Sequence, residues 1–272
     1  MKSIKFCICA LILLLTGFTA KAAKIDTLKV FSPAMKAEVN VVCITPQNLN
    51  ADNKYPVVYL LHGHGGNHFS WLSIKPELPK IADDLGYIFV CPDGKNSWYW
   101  DSPTNPSYRY ETFMSHELIS FIDGNYPTKA DKEHRAITGL SMGGHGAMWL
   151  AIRHQDIFGA CGSMSGGLDI RPFPEAWNMN EQLGVYEENK RIWDEHTVIN
   201  QLDKLKGSNL AIYICCGYDD FFLEVNNNVH KILVDMNYPH DFTIREGKHN
   251  APFWNNALDY HLLFFTKFFN RK

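Results

Sequence analysis

From Tyr55 onward the chain alternates between two hydrophobic periods. Short, nearly continuous apolar runs at residues 57–61, 87–91, 135–138, 158–164, 210–216 and 241–245 read as strands. Between them, residues 112–122, 144–153 and 223–237 carry apolar side chains at i, i+3 and i+4, the stripe of an amphipathic helix. Strands that are apolar on both faces belong in a sheet covered on both sides, which requires helical crossovers between parallel neighbours. The pattern therefore predicts an α/β domain with a mostly parallel central sheet flanked by helices. Residues 27–30 and 38–45 precede the alternation and read as an antiparallel pair at one sheet edge. Between about Leu168 and Lys206 no period holds, because Arg171-Pro172-Phe173-Pro174 and the scattered Trp177, Tyr186 and Trp193 interrupt it. This stretch falls between two core strands, so a small cap insertion over the C-terminal edge of the sheet is expected, where open α/β sheets bind ligands.

Composition narrows the class. With 46% hydrophobic residues, 26 Lys+Arg against 29 Asp+Glu and no basic run, the chain is globular and carries no footprint for a phosphate backbone. Nucleic acid is not an expected partner. Lys2 and Lys5 lead into an apolar stretch from Phe6 to Phe18 and then Ala20-Lys21-Ala22, the layout of a secretory signal peptide cleaved after Ala22. The apolar stretch is too short to span a bilayer and none like it follows, so a secreted or periplasmic protein without a membrane segment is expected. Cleavage leaves five cysteines, Cys43, Cys91, Cys161, Cys215 and Cys216, in strand-like text. They read as packing residues, with room for one bridge.

Candidate chemistry starts at Gly139-Leu140-Ser141-Met142-Gly143, which follows one strand and opens one helix. In a turn this tight, side chains two positions either side of the serine would collide, and the serine stands at a helix N-terminus, where developing negative charge is favoured. Ser141 is thus the candidate nucleophile. Seven histidines follow it, and His249 is the one just past the end of a core strand, where a general base is needed. An orienting acid should follow the preceding strand, where Asp219 and Asp220 compete; Asp220 is favoured because Phe221-Phe222 would draw it under the sheet edge, leaving Asp219 to cap the next helix. The loop His62-Gly63-His64-Gly65-Gly66 suits an oxyanion hole made by the amides of His64 and Met142. His62, His64 and His68 do not have metallo-hydrolase spacing and no acidic residue sits among them, so no metal is expected.

Further marks lie in Tyr59-Leu60-Leu61-His62-Gly63 with Trp71 downstream, Asp93-Gly94 with Ser97-Trp98-Tyr99, and Tyr110-Glu111-Thr112 with Glu117-Leu118. Others are Gly139 to Gly144, Cys216-Gly217 with Asp220-Phe221, and His249 with Trp254. On these the chain, from about Val57 to its C-terminus, resembles the esterase D and feruloyl esterase branch of the α/β-hydrolases. That branch also holds S-formylglutathione hydrolases, acetyl-xylan and tributyrin esterases, and mycobacterial mycolyltransferases. The resemblance implies an α/β-hydrolase fold and an acid three residues after a glycine, which supports Asp220. Asn250-Ala251-Pro252 departs from the pattern, since relatives often carry an aromatic residue two positions after the histidine.

The expectation is a serine esterase that needs no cofactor: Ser141 attacks, His249 moves the proton, Asp220 orients the imidazole, and the His64 and Met142 amides hold the oxyanion. Trp98, Tyr99 and Trp100 are expected to form an aromatic substrate wall, and short acyl or phenolic esters, acetyl or feruloyl on polysaccharide, are the expected substrates. The competing readings are an acyltransferase, an S-formylglutathione hydrolase-like thioesterase and a non-catalytic binding protein.

Overall fold

The computed structural model describes residues 23–271; the expected signal peptide, residues 1–22, lies outside them. Eight strands form one sheet: β1 Lys24–Ser32, β2 Ala37–Thr45, β3 Val57–Leu61, β4 Ile88–Pro92, β5 Arg135–Leu140, β6 Ala160–Met164, β7 Ala211–Gly217 and β8 Asp241–Arg245. Their order is β1-β2-β4-β3-β5-β6-β7-β8, with β1–β2 and β2–β4 antiparallel and every later pair parallel. The antiparallel edge and the parallel body are as the hydrophobic pattern predicts. The chain has the α/β-hydrolase fold.

Two apolar layers, one on each face, cover the sheet. The helix Met142–Arg153 is buried from Met142 to Ile152 and packs on one face with much of the 168–206 segment. On the other face lie Leu78–Leu85 and the C-terminal helix Ala251–Phe269. The helices Ser70–Ile74 and Leu78–Leu85 are not anticipated above: Pro76 and Pro79 break the local pattern, although Leu78, Ile81, Ala82 and Leu85 form an apolar stripe. Residues 110–125 run from Tyr110–Thr112 through a π-helical stretch, Phe113–Glu117, into Leu118–Asn125. All five cysteines are buried and free, so the bridge allowed for above does not form. Burial pushes the thiols of Cys43 and Cys215 up to about 12, which leaves them inert as nucleophiles. Among the described residues no helix is long and apolar enough to cross a membrane.

Glu111 ties the 110–125 segment to the far end of the helix Met142–Arg153. Its carboxylate accepts from Trp149 Nε1 (3.0 Å), Arg153 Nε (2.7 Å) and His154 Nε2 (2.9 Å). Burial alone would raise this carboxyl; the bonds from His154 and Arg153 outweigh it and hold the group below its ordinary value of 4.5. Glu111→Ala orphans the Trp149 and His154 donors, whereas Arg153 remains partly solvated, so a loss of about 3 kcal/mol is expected as a lower denaturant midpoint at unchanged slope. A carboxyl lowered in the native state stabilises above its unfolded-state value and ceases to do so as pH falls through the native one. The deficit of the variant should therefore shrink below about pH 4.

Candidate active site

Because β3, β5, β7 and β8 are parallel, the loops that follow them emerge on one edge of the sheet, and that edge gathers Ser141, Asp220, His249 and the 62–66 loop. Ser141 follows β5 with φ 55° and ψ −120°, a left-handed strain at the single residue between strand and helix. The turn closes only with glycine at 143, where a Cβ would stand 2.4 Å from the Leu61 carbonyl oxygen and 2.6 Å from that of His62. A second close crossing unites the other two loops. A Cβ at residue 217 would lie 2.4 Å from the Gly247 carbonyl oxygen, which accepts from the Asp219 amide at 3.0 Å. The turn bearing the acid is thereby stapled to the turn bearing the histidine.

His249 Nε2 lies 2.8 Å from Ser141 Oγ, and its Nδ1 lies 3.0 Å from each oxygen of Asp220. A carboxylate only accepts, so Nδ1 carries the proton and Nε2 is the acceptor for the serine hydroxyl. Asp220 is fully enclosed, and its Oδ1 also accepts from the Phe222 amide at 2.9 Å, which fixes the carboxylate plane. Asp219 is exposed and does not cap the helix Leu223–Asp235, which begins without a side-chain cap. Of the pair expected to pass under the sheet edge, only Phe222 does so; Phe221 stays 52% exposed at the cleft mouth.

The amide of Met142, first in its helix, and that of His64 have no acceptor among the described residues. Met142 directly follows Ser141 in the chain, and His64 lines the same cleft as Ser141. The loop carrying His64 is held from below and from the side. His62 Nδ1–H donates to the Gly63 carbonyl (2.7 Å), its Nε2 accepts from the Gly94 amide (2.8 Å), and the Gly65 amide donates to Asn96 Oδ1 (2.8 Å). With both ring nitrogens occupied His62 has no lone pair for a metal, and among the described residues no group of three His, Cys, Asp or Glu is arranged to hold one. Burial lowers His64, so the imidazole beside the cleft is neutral.

Trp98, Tyr99 and Trp100 do not line the cleft. All three are at most 1% exposed, in a turn that points inward with left-handed φ at Trp98 (54°) and Tyr99 (63°). Tyr99 donates its hydroxyl to the His62 carbonyl (3.0 Å), and the Trp100 indole donates to His145 Nε2 (2.9 Å). His145 passes its own Nδ1–H to the Gly167 carbonyl, and burial brings its pKa down to about 3, so it stays a neutral acceptor. The three rings thus brace the 62–66 loop and the helix that follows Ser141, and they are turned away from the cleft. The aromatic lining of the cleft, about 480 Å³ in volume, comes from Trp177, Phe221 and Trp254. Trp177 was hidden in the aperiodic cap segment. Phe221 and Trp254 are conspicuous only through their proximity in sequence to Asp220 and His249.

A family model described as "Putative esterase" matches residues 32–265. An acetyl esterase of Caldicellulosiruptor saccharolyticus is 26% identical over 255 residues, covering 84% of this chain and 92% of its own. An endo-1,4-beta-xylanase/feruloyl esterase of Xylanibacter ruminicola is 37% identical over 123 residues, 42% of this chain and 17% of that much longer protein. Among solved structures, a ferulic acid esterase matches with a TM-score of 0.79 and 29% identity, covering 91% of this chain and 99% of that one.

Proposed function

Because the chain belongs to this esterase family and is a carboxylic ester hydrolase, we propose that it works through Ser141, His249 and Asp220 on short acyl or phenolic esters carried by plant polysaccharide. The observation that carries the reading is the unbroken relay from Asp220 through His249 to Ser141 Oγ. Ser141 Oγ attacks the ester carbonyl while His249 Nε2 takes its proton. Asp220 keeps the imidazole in the accepting tautomer and stabilises the imidazolium. The negative oxygen of the tetrahedral intermediate is met by the Met142 and His64 amides, and the helix Met142–Arg153 adds the positive end of its dipole. His249 then returns the proton to the leaving alcohol, and water, deprotonated by the same ring, releases the acyl group from Ser141.

Acetyl and feruloyl esters are the proposed acyl range, supported by the acetyl esterase and the two feruloyl or ferulic acid esterases to which the chain is similar. Export after loss of residues 1–22 would bring the enzyme to such a polymer. A substrate panel tests the reading: p-nitrophenyl acetate, methyl ferulate, long-chain p-nitrophenyl esters and acetylated xylan. Acetate and ferulate esters should exceed the longest chains by at least about tenfold in kcat/KM, in keeping with the acetyl and ferulic acid esterases to which the chain is similar. A preference for long chains, or acyl release only to an added sugar acceptor and not to water, contradicts it.

A further inference from the structure

Four rings make a continuous row along one side of the cleft. Trp177 packs nearly parallel to Phe221 (centroids 5.7 Å apart, planes at 22°), Phe221 lies 4.2 Å from the His249 ring, and His249 meets Trp254 edge-on at 5.0 Å. Phe221 is half exposed, which leaves apolar surface in water that a neighbouring ligand would cover. Trp177 and the following Asn178 both have left-handed φ, 51° and 55°, a conformation that residues bearing a β-carbon keep only where the surroundings impose it. Here the surroundings are Phe173, Phe222 and Trp98, which pack against the Trp177 ring and hold it toward Phe221.

The path of the proton identifies which half of the ester meets this row. His249 must deliver its proton to the leaving oxygen, so the alcohol half lies on the imidazole side of Ser141, among the side chains packed around that ring. We infer that Phe221, seated against Trp177, is a specificity-determining residue for the alcohol half, and that the alcohol it favours is a sugar ring. A pyranose or furanose lays its apolar C–H face along an aromatic wall while its hydroxyls stay in water at an open cleft mouth. A plain alkyl alcohol gains less there because nothing encloses it. The inference rests on the roles proposed for Ser141 and His249.

The test holds the acyl group constant. For wild type, kcat/KM on a mono-acetylated methyl xyloside should exceed that on ethyl acetate by more than about fivefold, the size of one aromatic packing contact. Phe221→Ala should lower this ratio about fivefold and Phe221→Tyr should keep it. A wild-type ratio near one overturns the assignment without recourse to any variant. So does a Phe221→Ala enzyme whose two rates fall in the same proportion, which would mean that Phe221 only packs the histidine. If the variant instead changes the ratio of methyl ferulate to methyl acetate and spares the alcohol ratio, the row serves the acyl half and the assignment is wrong. A Ser141→Ala protein that keeps more than a few per cent of wild-type turnover on either ester contradicts the catalytic reading itself, and the inference falls with it.

Discussion

Ser141→Ala is expected to reduce kcat on p-nitrophenyl acetate by at least about 10⁴-fold while the protein stays folded. The hydroxyl makes one hydrogen bond, to His249, at the end of a turn whose geometry is imposed by the close packing around Gly143 and not by the serine oxygen. Alanine inherits the same strained φ, so the melting temperature should move by no more than about 3 °C. What disappears is the atom that bonds to the acyl group. In the proposed mechanism the Met142 and His64 amides and the cleft can still polarise an ester, so a residual rate above that of water is consistent with it. A variant that keeps more than a few per cent of wild-type turnover is not.

The second large effect separates two adjacent carboxylates. Asp220→Asn should lower kcat by about 10⁴-fold, because an amide facing His249 presents either an N–H that opposes the Nδ1 proton or an oxygen that cannot stabilise the imidazolium. In the first orientation the ring moves its proton to Nε2, and the acceptor for the serine hydroxyl is lost. Asp219→Asn should change kcat by less than about threefold, since the Asp219 side chain is exposed and has no partner among the described residues. Measuring both variants on the same ester, with the folded fraction checked by circular dichroism, decides between the two. Equal losses would mean that Asp219 also reaches the histidine in solution.

Much of this site was legible in the sequence because its parts obey local rules. The serine sits between a strand and a helix with glycines on both sides, and His249 follows an apolar run without belonging to a helix. The parallel order of β3, β5, β7 and β8 then brings residues more than a hundred positions apart to one edge. The choice between Asp219 and Asp220 rested on a weaker cue. It leans on both phenylalanines turning inward, yet only Phe222 does, and what brings Asp220 to the imidazole is the close crossing of Gly217 and Gly247. Trp98, Tyr99 and Trp100 face the core and not the cleft, and the sequence does not show this because an aromatic run beside a polar loop reads alike in either direction. Their direction depends on two successive left-handed residues and on acceptors, the His62 carbonyl and His145 Nε2, that belong to other elements. For Trp177 the sequence offers only its membership of the aperiodic 168–206 segment, since no period governs that segment and the ring is oriented by tertiary packing.

The chemistry proposed for Ser141 is a covalent event at one atom, its Oγ. A fluorophosphonate probe incubated with the wild-type chain should add one adduct per molecule, located by peptide mass spectrometry on Ser141, with labelling abolished in Ser141→Ala and at least about a hundredfold slower in Asp220→Asn. An adduct mapped to any other residue, or a wild-type enzyme that hydrolyses esters yet never labels, contradicts it.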